Sequence, residues 1–139
     1  MTRIAIDCEF NGFGGTLISL ALVAEDGNEW YQVMPSLSSY DPWVKEHVLP
    51  FLDKEPLASR DEFRMSMFTF LNQYKQPTIV ADWYADLLHF FSLFAGEDHS
   101  RSIGYPCHTE LLPRMEFEPS MIPHNALEDA RAIMRTLLK

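Results

Sequence analysis

Three strand-like segments follow one another within the first 34 residues, and any fold for this chain must begin by pairing them. Residues 3 to 9 alternate, with Ile4, Ile6 and Cys8 on one side and Ala5, Asp7 and Glu9 on the other, the period of a β-strand. "TLISLALVAE" at 16–25 is long and nearly continuous in apolar residues, "DGN" supplies turn chemistry, and "EWYQVM" reads as the return strand. Together they predict an antiparallel meander. Asp7 and Glu9 then share one face of its first strand.

The remainder reads as helices alternating with short strands. In "YDPWVKEHVLP", Asp41 is placed to cap a short helix that carries Pro42 at its first position and is closed by Pro50. Ser59 and Glu62 have capping-box spacing, ahead of a stripe of Phe63, Met67, Phe70, Leu71 and Tyr74 that should cover the sheet. "PTIVAD" at 77–82 predicts a strand feeding "WYADLLHFFSLFAG", a helix apolar all round and so expected to be buried. A short strand is expected near 103–107. Asn125 and Glu128 form a second capping box for a final helix whose stripe is Leu127, Ala130, Met134, Leu137 and Leu138. At 139 residues and 47% hydrophobic content, with no repeat or linker, the chain is expected to form a single α/β domain over 1–139.

Eleven basic residues against 20 acidic ones leave a net charge of −9, so no basic patch offers itself to a phosphate backbone. An acid-rich chain can still bind polyanions where its acids gather divalent cations, because the ions reverse the local sign. Cys8 and Cys107 are too few for a disulfide framework and form no Cys-x-x-Cys pair, which points to a reducing compartment. With no signal-peptide core and no run of 18 uncharged apolar residues, a soluble, cytoplasmic protein without membrane partners is expected.

Asp7, Glu9, Asp86 and Asp129 stand beside apolar residues where a charge is normally avoided. Buried acids are paired or bind metal, and Arg3 is the only base near Asp7 and Glu9 in sequence, so hard divalent cations are the economical partners. With Asn125 as N-cap, His124 falls at N′ and Asp129 at N4, the positions that meet in a hydrophobic staple. That would bring an imidazole close to a carboxylate at a helix N-terminus, where backbone N–H groups favour phosphate.

In order and spacing, Asp7-x-Glu9 on a first strand, Asp86 early in a central helix and His124-x4-Asp129 at a last helix resemble the three motifs of the DEDDh 3′-5′ exonucleases of the ribonuclease-H-like superfamily. "LISLALVAEDGNEWYQV" resembles in particular their short bacterial exoribonuclease branch, and the likeness runs from residue 4 to about 135. The resemblance implies a mixed five-stranded sheet of order 3-2-1-4-5 flanked by helices, and two divalent cations, Mg2+ or Mn2+. It implies that Asp7 bridges both ions, that Glu9 and Asp129 hold one, that Asp86 acts largely through water on the other, and that His124 is the general base. One ion then activates water in line with the terminal phosphodiester while the other stabilises the leaving 3′ oxygen, releasing 5′-mononucleotides from single-stranded RNA. Single-stranded DNA is the near alternative, and a nuclease-fold binding module without turnover the more distant one.

The second motif departs from the family. "DWYAD" at 82–86 has Asp82 in place of the usual Asn and Ala85 in place of Phe. The offset selects Asp86 as ligand with Asp82 capping the helix; the reverse assignment is the alternative. Phe10 replaces the frequent Thr after Glu9 and is placed to pack against a terminal sugar or base. Phe13, Trp30 and Tyr84 are further candidate stacking platforms, with core packing the favoured role for each. Gly12, Gly14 and Gly15 turn the chain and give a nucleotide access to backbone, and Asn125 lies beside the same site. Arg101, Arg114 and Arg131 are candidate phosphate contacts, Arg131 alternatively pairing with Glu128 or Glu118. Cys8 should be core, and His47, His89, His99 and His108 show no ligand spacing. A homodimer is an open expectation.

Overall fold

The computed structural model describes residues 1–97, 100–112, 121 and 123–139. Strands β1 (Arg3–Phe10), β2 (Leu17–Ala24) and β3 (Glu29–Val33) form the predicted meander. Helices α1 (Pro42–His47) and α2 (Arg60–Leu71) follow, then β4 (Thr78–Ala81), α3 (Tyr84–Ser92), β5 (His108–Leu111) and α4 (Ala126–Leu137). β4 lies parallel to β1 and β5 parallel to β4, so the sheet is mixed, with the order 3-2-1-4-5. This is the α/β architecture expected.

Every residue of β2 is buried, because the sheet is covered on both faces. On one face Ile4, Ile6, Leu20 and Leu22 meet Phe63, Met67 and Leu71 of α2. On the other, Ala5, Ala21, Tyr31 and Val33 meet Ala126, Ala130, Ile133 and Met134 of α4. Strand alternation therefore turns Asp7 and Glu9 toward α4 and Cys8 toward α2. Three caps are as read: Asp41 accepts from Trp43 N–H at 3.0 Å, Ser59 from Glu62 N–H at 3.1 Å, and Asn125 from Glu128 N–H at 2.9 Å.

Several boundaries differ. The last parallel strand occupies 108–111 and not 103–107; all four of its residues are exposed, so no apolar pattern marks it. α2 stops at Leu71, and Tyr74 beyond it uses its hydroxyl on Asp26. Pro50 sits inside a 3-10 turn, Leu49–Phe51, that continues α1. Leu138 lies past the end of α4 and is exposed. α3 is not the buried helix expected. Only Asp86 and Phe90 of its residues are buried, while Tyr84, Leu88 and Phe91 face outward. Its N-cap is Trp83 and not Asp82.

The far end of α3 is fastened by Arg64, whose side chain is 2% exposed. Its guanidinium donates to the carbonyls of Leu93 at 2.7 Å, Arg101 at 3.0 Å and Phe94 at 3.2 Å, and pairs with Asp61 at 3.1 Å. Buried arginine is tolerated here because each guanidinium nitrogen finds an oxygen. Between β1 and β2, an added Cβ on Gly15 would fall 1.8 Å from the Asn11 carbonyl oxygen, so this turn admits no side chain there.

Candidate metal centre

Asp7 and Glu9 project from the C-terminal half of β1, where a register irregularity between Glu9 and Phe10 interrupts the pairing with β2. Asp86 comes from the first turn of α3, is 2% exposed, and accepts the Cys8 N–H at 3.2 Å. Asp129 is the fourth residue of α4, one turn beyond the Asn125 cap. Asp82 lies just after β4. The fold thus gathers carboxylates remote in sequence at one end of the two central parallel strands.

Two sets form. Oxygens of Asp7, Glu9 and Asp129 lie within 4.8 Å of one another, as do those of Asp7, Asp82 and Asp86. Asp7 belongs to both. One oxygen of Asp7 and one of Asp86 are buried with no hydrogen-bond partner among the described residues. Leaving a buried carboxylate oxygen unpaired is costly, and the electrostatics register that cost. Burial first, then the charges of Asp86, Glu9, Asp129 and Asp82, hold the Asp7 carboxyl well above the usual range. Burial and Asp129 push Glu9 up to about 9, and burial and Asp82 push Asp86 up to about 8. An all-oxygen donor set with surplus negative charge suits hard divalent cations such as Mg2+ or Mn2+.

His124 is not a member of either carboxylate set. It is exposed, has a left-handed backbone (φ 66°), and sets its ring edge-on to Trp43, centroids 5.0 Å apart. Trp43 in turn stacks on His47 at 4.5 Å, and the His47 Nδ1 lies 3.0 Å from the Trp43 carbonyl. From sequence His47 is set aside as lacking ligand spacing and Trp43 is not considered; their spacing of four on one helix was the available signal. Asp82 is favoured from sequence as a cap, with a ligand role in place of Asp86 as the alternative. The offset of four from Asp86 was visible, but only the fold shows it facing Asp7.

Phe10 stacks on His89, centroids 5.1 Å apart, and burial lowers the His89 pKa so the ring is held neutral. This pair floors a cavity of about 560 Å³ lined also by Phe13, Trp83, Tyr84 and Leu88. A second cleft, of about 430 Å³, lies between Glu9, Phe10, Gly12 and Trp43. Phe13 is 88% exposed and Tyr84 43%, so neither takes the core role favoured from sequence, whereas Trp30 does. Gly12 has φ 76° beside Asp41. Asn125 is buried, with its amide committed to the Glu128 N–H and, at 2.8 Å, the Phe51 carbonyl. Arg131 grips Glu29 at 2.6 and 2.7 Å and also pairs with Glu128; Arg101 pairs with Asp61 at 3.6 Å. Arg114, Glu118 and His99 lie outside the described residues. No helix among the described residues is long and apolar enough to cross a membrane.

No family model matches the chain. It is 39% identical over 79 residues to a 3′-5′ exoribonuclease of Mycobacterium tuberculosis, found in strains CDC 1551 / Oshkosh and H37Rv; the match covers 50% of this chain and 45% of the relative. The chain spans about half the length of the curated relatives it matches.

Proposed function

We propose that this chain is a metal-dependent 3′-5′ exoribonuclease of the DEDDh type, hydrolysing single-stranded RNA from its 3′ end to 5′-mononucleotides. The observation that carries the reading is the pair of carboxylate sets joined through Asp7, with buried oxygens left unpartnered. The identity shared with the mycobacterial exoribonuclease supports RNA as substrate.

Asp7, Glu9 and Asp129 would hold one cation, and Asp7, Asp82 and Asp86 a second. When bound, such ions act as Lewis acids that offset charge on the attacking and departing oxygens of a phosphodiester. The flat Phe10–His89 pair offers a terminal base or sugar an apolar surface, and Tyr84 extends that surface along the cavity. Gly12, with no side chain, leaves the neighbouring cleft open beside Glu9. His124 accepts the proton of the attacking water on an imidazole nitrogen. With so few cations nearby, affinity comes from stacking and bound ions, so the footprint is short.

The test is incubation of 5′-labelled RNA with Mg2+ or Mn2+. A ladder descending by single nucleotides is expected, slowed about 10²- to 10⁴-fold in His124→Ala, the usual worth of a general base. An unchanged ladder in that variant would remove His124 from the mechanism, and the absence of any ladder would remove the exoribonuclease reading. A matched DNA oligomer in parallel measures the sugar preference.

A further inference from the structure

β2 contains one polar residue among eight, Ser19, and it is fully buried. In the β1–β2 register Ser19 stands directly opposite Glu9. Directly opposed residues of an antiparallel pair share a face, with Cβ atoms about 4.5–5.5 Å apart. Ala21, the next residue of β2 on that face, stands opposite Asp7 on one side and Tyr31 of β3 on the other. The small Ala21 side chain thus separates the Tyr31 ring from the acids. Glu9, Ser19 and Tyr31 form a polar patch beneath α4, in a layer otherwise filled by Ala5, Val23, Ala130 and Ile133.

Both the Ser19 Oγ and the Tyr31 hydroxyl are buried, and neither makes a well-formed hydrogen bond among the described residues; they lie close enough to interact with each other, and the Asp53 backbone N–H also reaches the Tyr31 hydroxyl. A buried hydroxyl without a well-formed bond costs up to about 1–3 kcal/mol, which alanine at 19 and phenylalanine at 31 would avoid. Retaining both beside a carboxylate has a physical purpose if that carboxylate is charged in the working protein. A hydroxyl is then a donor within reach of an anion, and the bond is charge-assisted. Burial, with the nearby Asp53 and Glu9 charges, pushes the Tyr31 phenol up to about 12, so it keeps its proton at any physiological pH.

We infer that Ser19, backed by Tyr31, is a positioning residue that orients the Glu9 carboxylate toward the Asp7–Glu9–Asp129 cation site. The inference rests on the metal-dependent reading above. Ser19 touches no substrate; it acts through Glu9, and groups hydrogen-bonded behind a ligand in this way typically govern cation affinity by about 10- to 100-fold.

Mn2+ binding to the chelator-stripped full chain, followed by the loss of the free-ion paramagnetic resonance signal, tests this without a turnover assay. Ser19→Ala is expected to weaken Mn2+ binding about 10-fold or more, and Tyr31→Phe by less, while both variants melt in EDTA at or above the wild-type temperature. Equal Mn2+ affinity in wild type and Ser19→Ala overturns the inference. So does a Ser19→Ala protein whose weaker binding comes with a lower metal-free melting temperature, since that marks a packing role. Wild type that takes up no Mn2+ overturns the metal-dependent reading itself, and the inference with it.

Discussion

Asp7→Asn is expected to reduce mononucleotide release by at least about 10⁴-fold while making the metal-free protein more stable. Asp7 is the residue common to both carboxylate sets, so its loss would remove a candidate cation donor from each at once, and groups that act as a unit fail together. Among the described residues the same carboxylate is unfavourably placed for a charge: half-buried, with one oxygen buried and unpartnered, and facing Asp86, Glu9, Asp129 and Asp82. An asparagine amide is nearly isosteric, carries no charge, and can donate to the neighbouring carboxylates. The expected gain is about 1–2 kcal/mol at pH 8 in EDTA, the range in which binding-site residues trade stability for function. Chemical denaturation and the RNA ladder, run on one preparation, check both halves. A variant that is inactive and less stable would show that Asp7 serves the fold and not the chemistry.

The second large effect is on stability against pH. Glu9 is pushed up to about 9, Asp86 up to about 8, and Asp7 well above its usual range, in each case chiefly by burial. In the unfolded chain these carboxyls titrate near 4. Between the two ranges the folded protein holds protons that the unfolded chain has released. The stability they contribute is complete below the unfolded values and is lost as pH rises through the folded ones. In EDTA the melting temperature should fall by on the order of 10 °C between pH 6 and pH 9, for a loss of a few kcal/mol in a domain of this size. Saturating Mn2+ should remove most of that slope, because the cation takes the place of the protons and binds the folded state alone. Calorimetry at neutral pH in two buffers of different ionisation enthalpy should record proton release on Mn2+ binding. A flat melting profile in EDTA would contradict the burial of these acids.

The meander was legible because its signals are local: alternation at 3–9, an apolar run at 16–25, a turn and a return. The capped helix starts were legible for the same reason, each needing only a side chain two or three residues from the N–H it accepts. Misread features depend on what lies across space. β5 is an edge strand with four exposed residues, recruited by backbone pairing to β4 with no pattern of its own. The surplus of apolar residues on α3 reads as burial, yet Tyr84 and Leu88 line a cavity and Phe91 faces outward. At the site, Asp7, Glu9, Asp86 and Asp129 could be chosen from sequence because each sits where burial is expected. Asp82 resembled a helix cap and entered only as the alternative to Asp86, and the Trp43–His47 stack that meets His124 joins residues about 80 positions apart.

Arg64 stands far along the chain from every carboxylate of the centre, yet it ties the tail of α3 and the following loop to α2 as though they were one piece. Asp86 rides at the other end of that helix. On the proposed reading, the anchorage of Asp86 is therefore set partly by a cation that belongs to neither carboxylate set. If that reading holds, a change at Arg64 is expected to loosen the seat of Asp86 with every acid intact, and a comparison of the acids alone would pass it as sound.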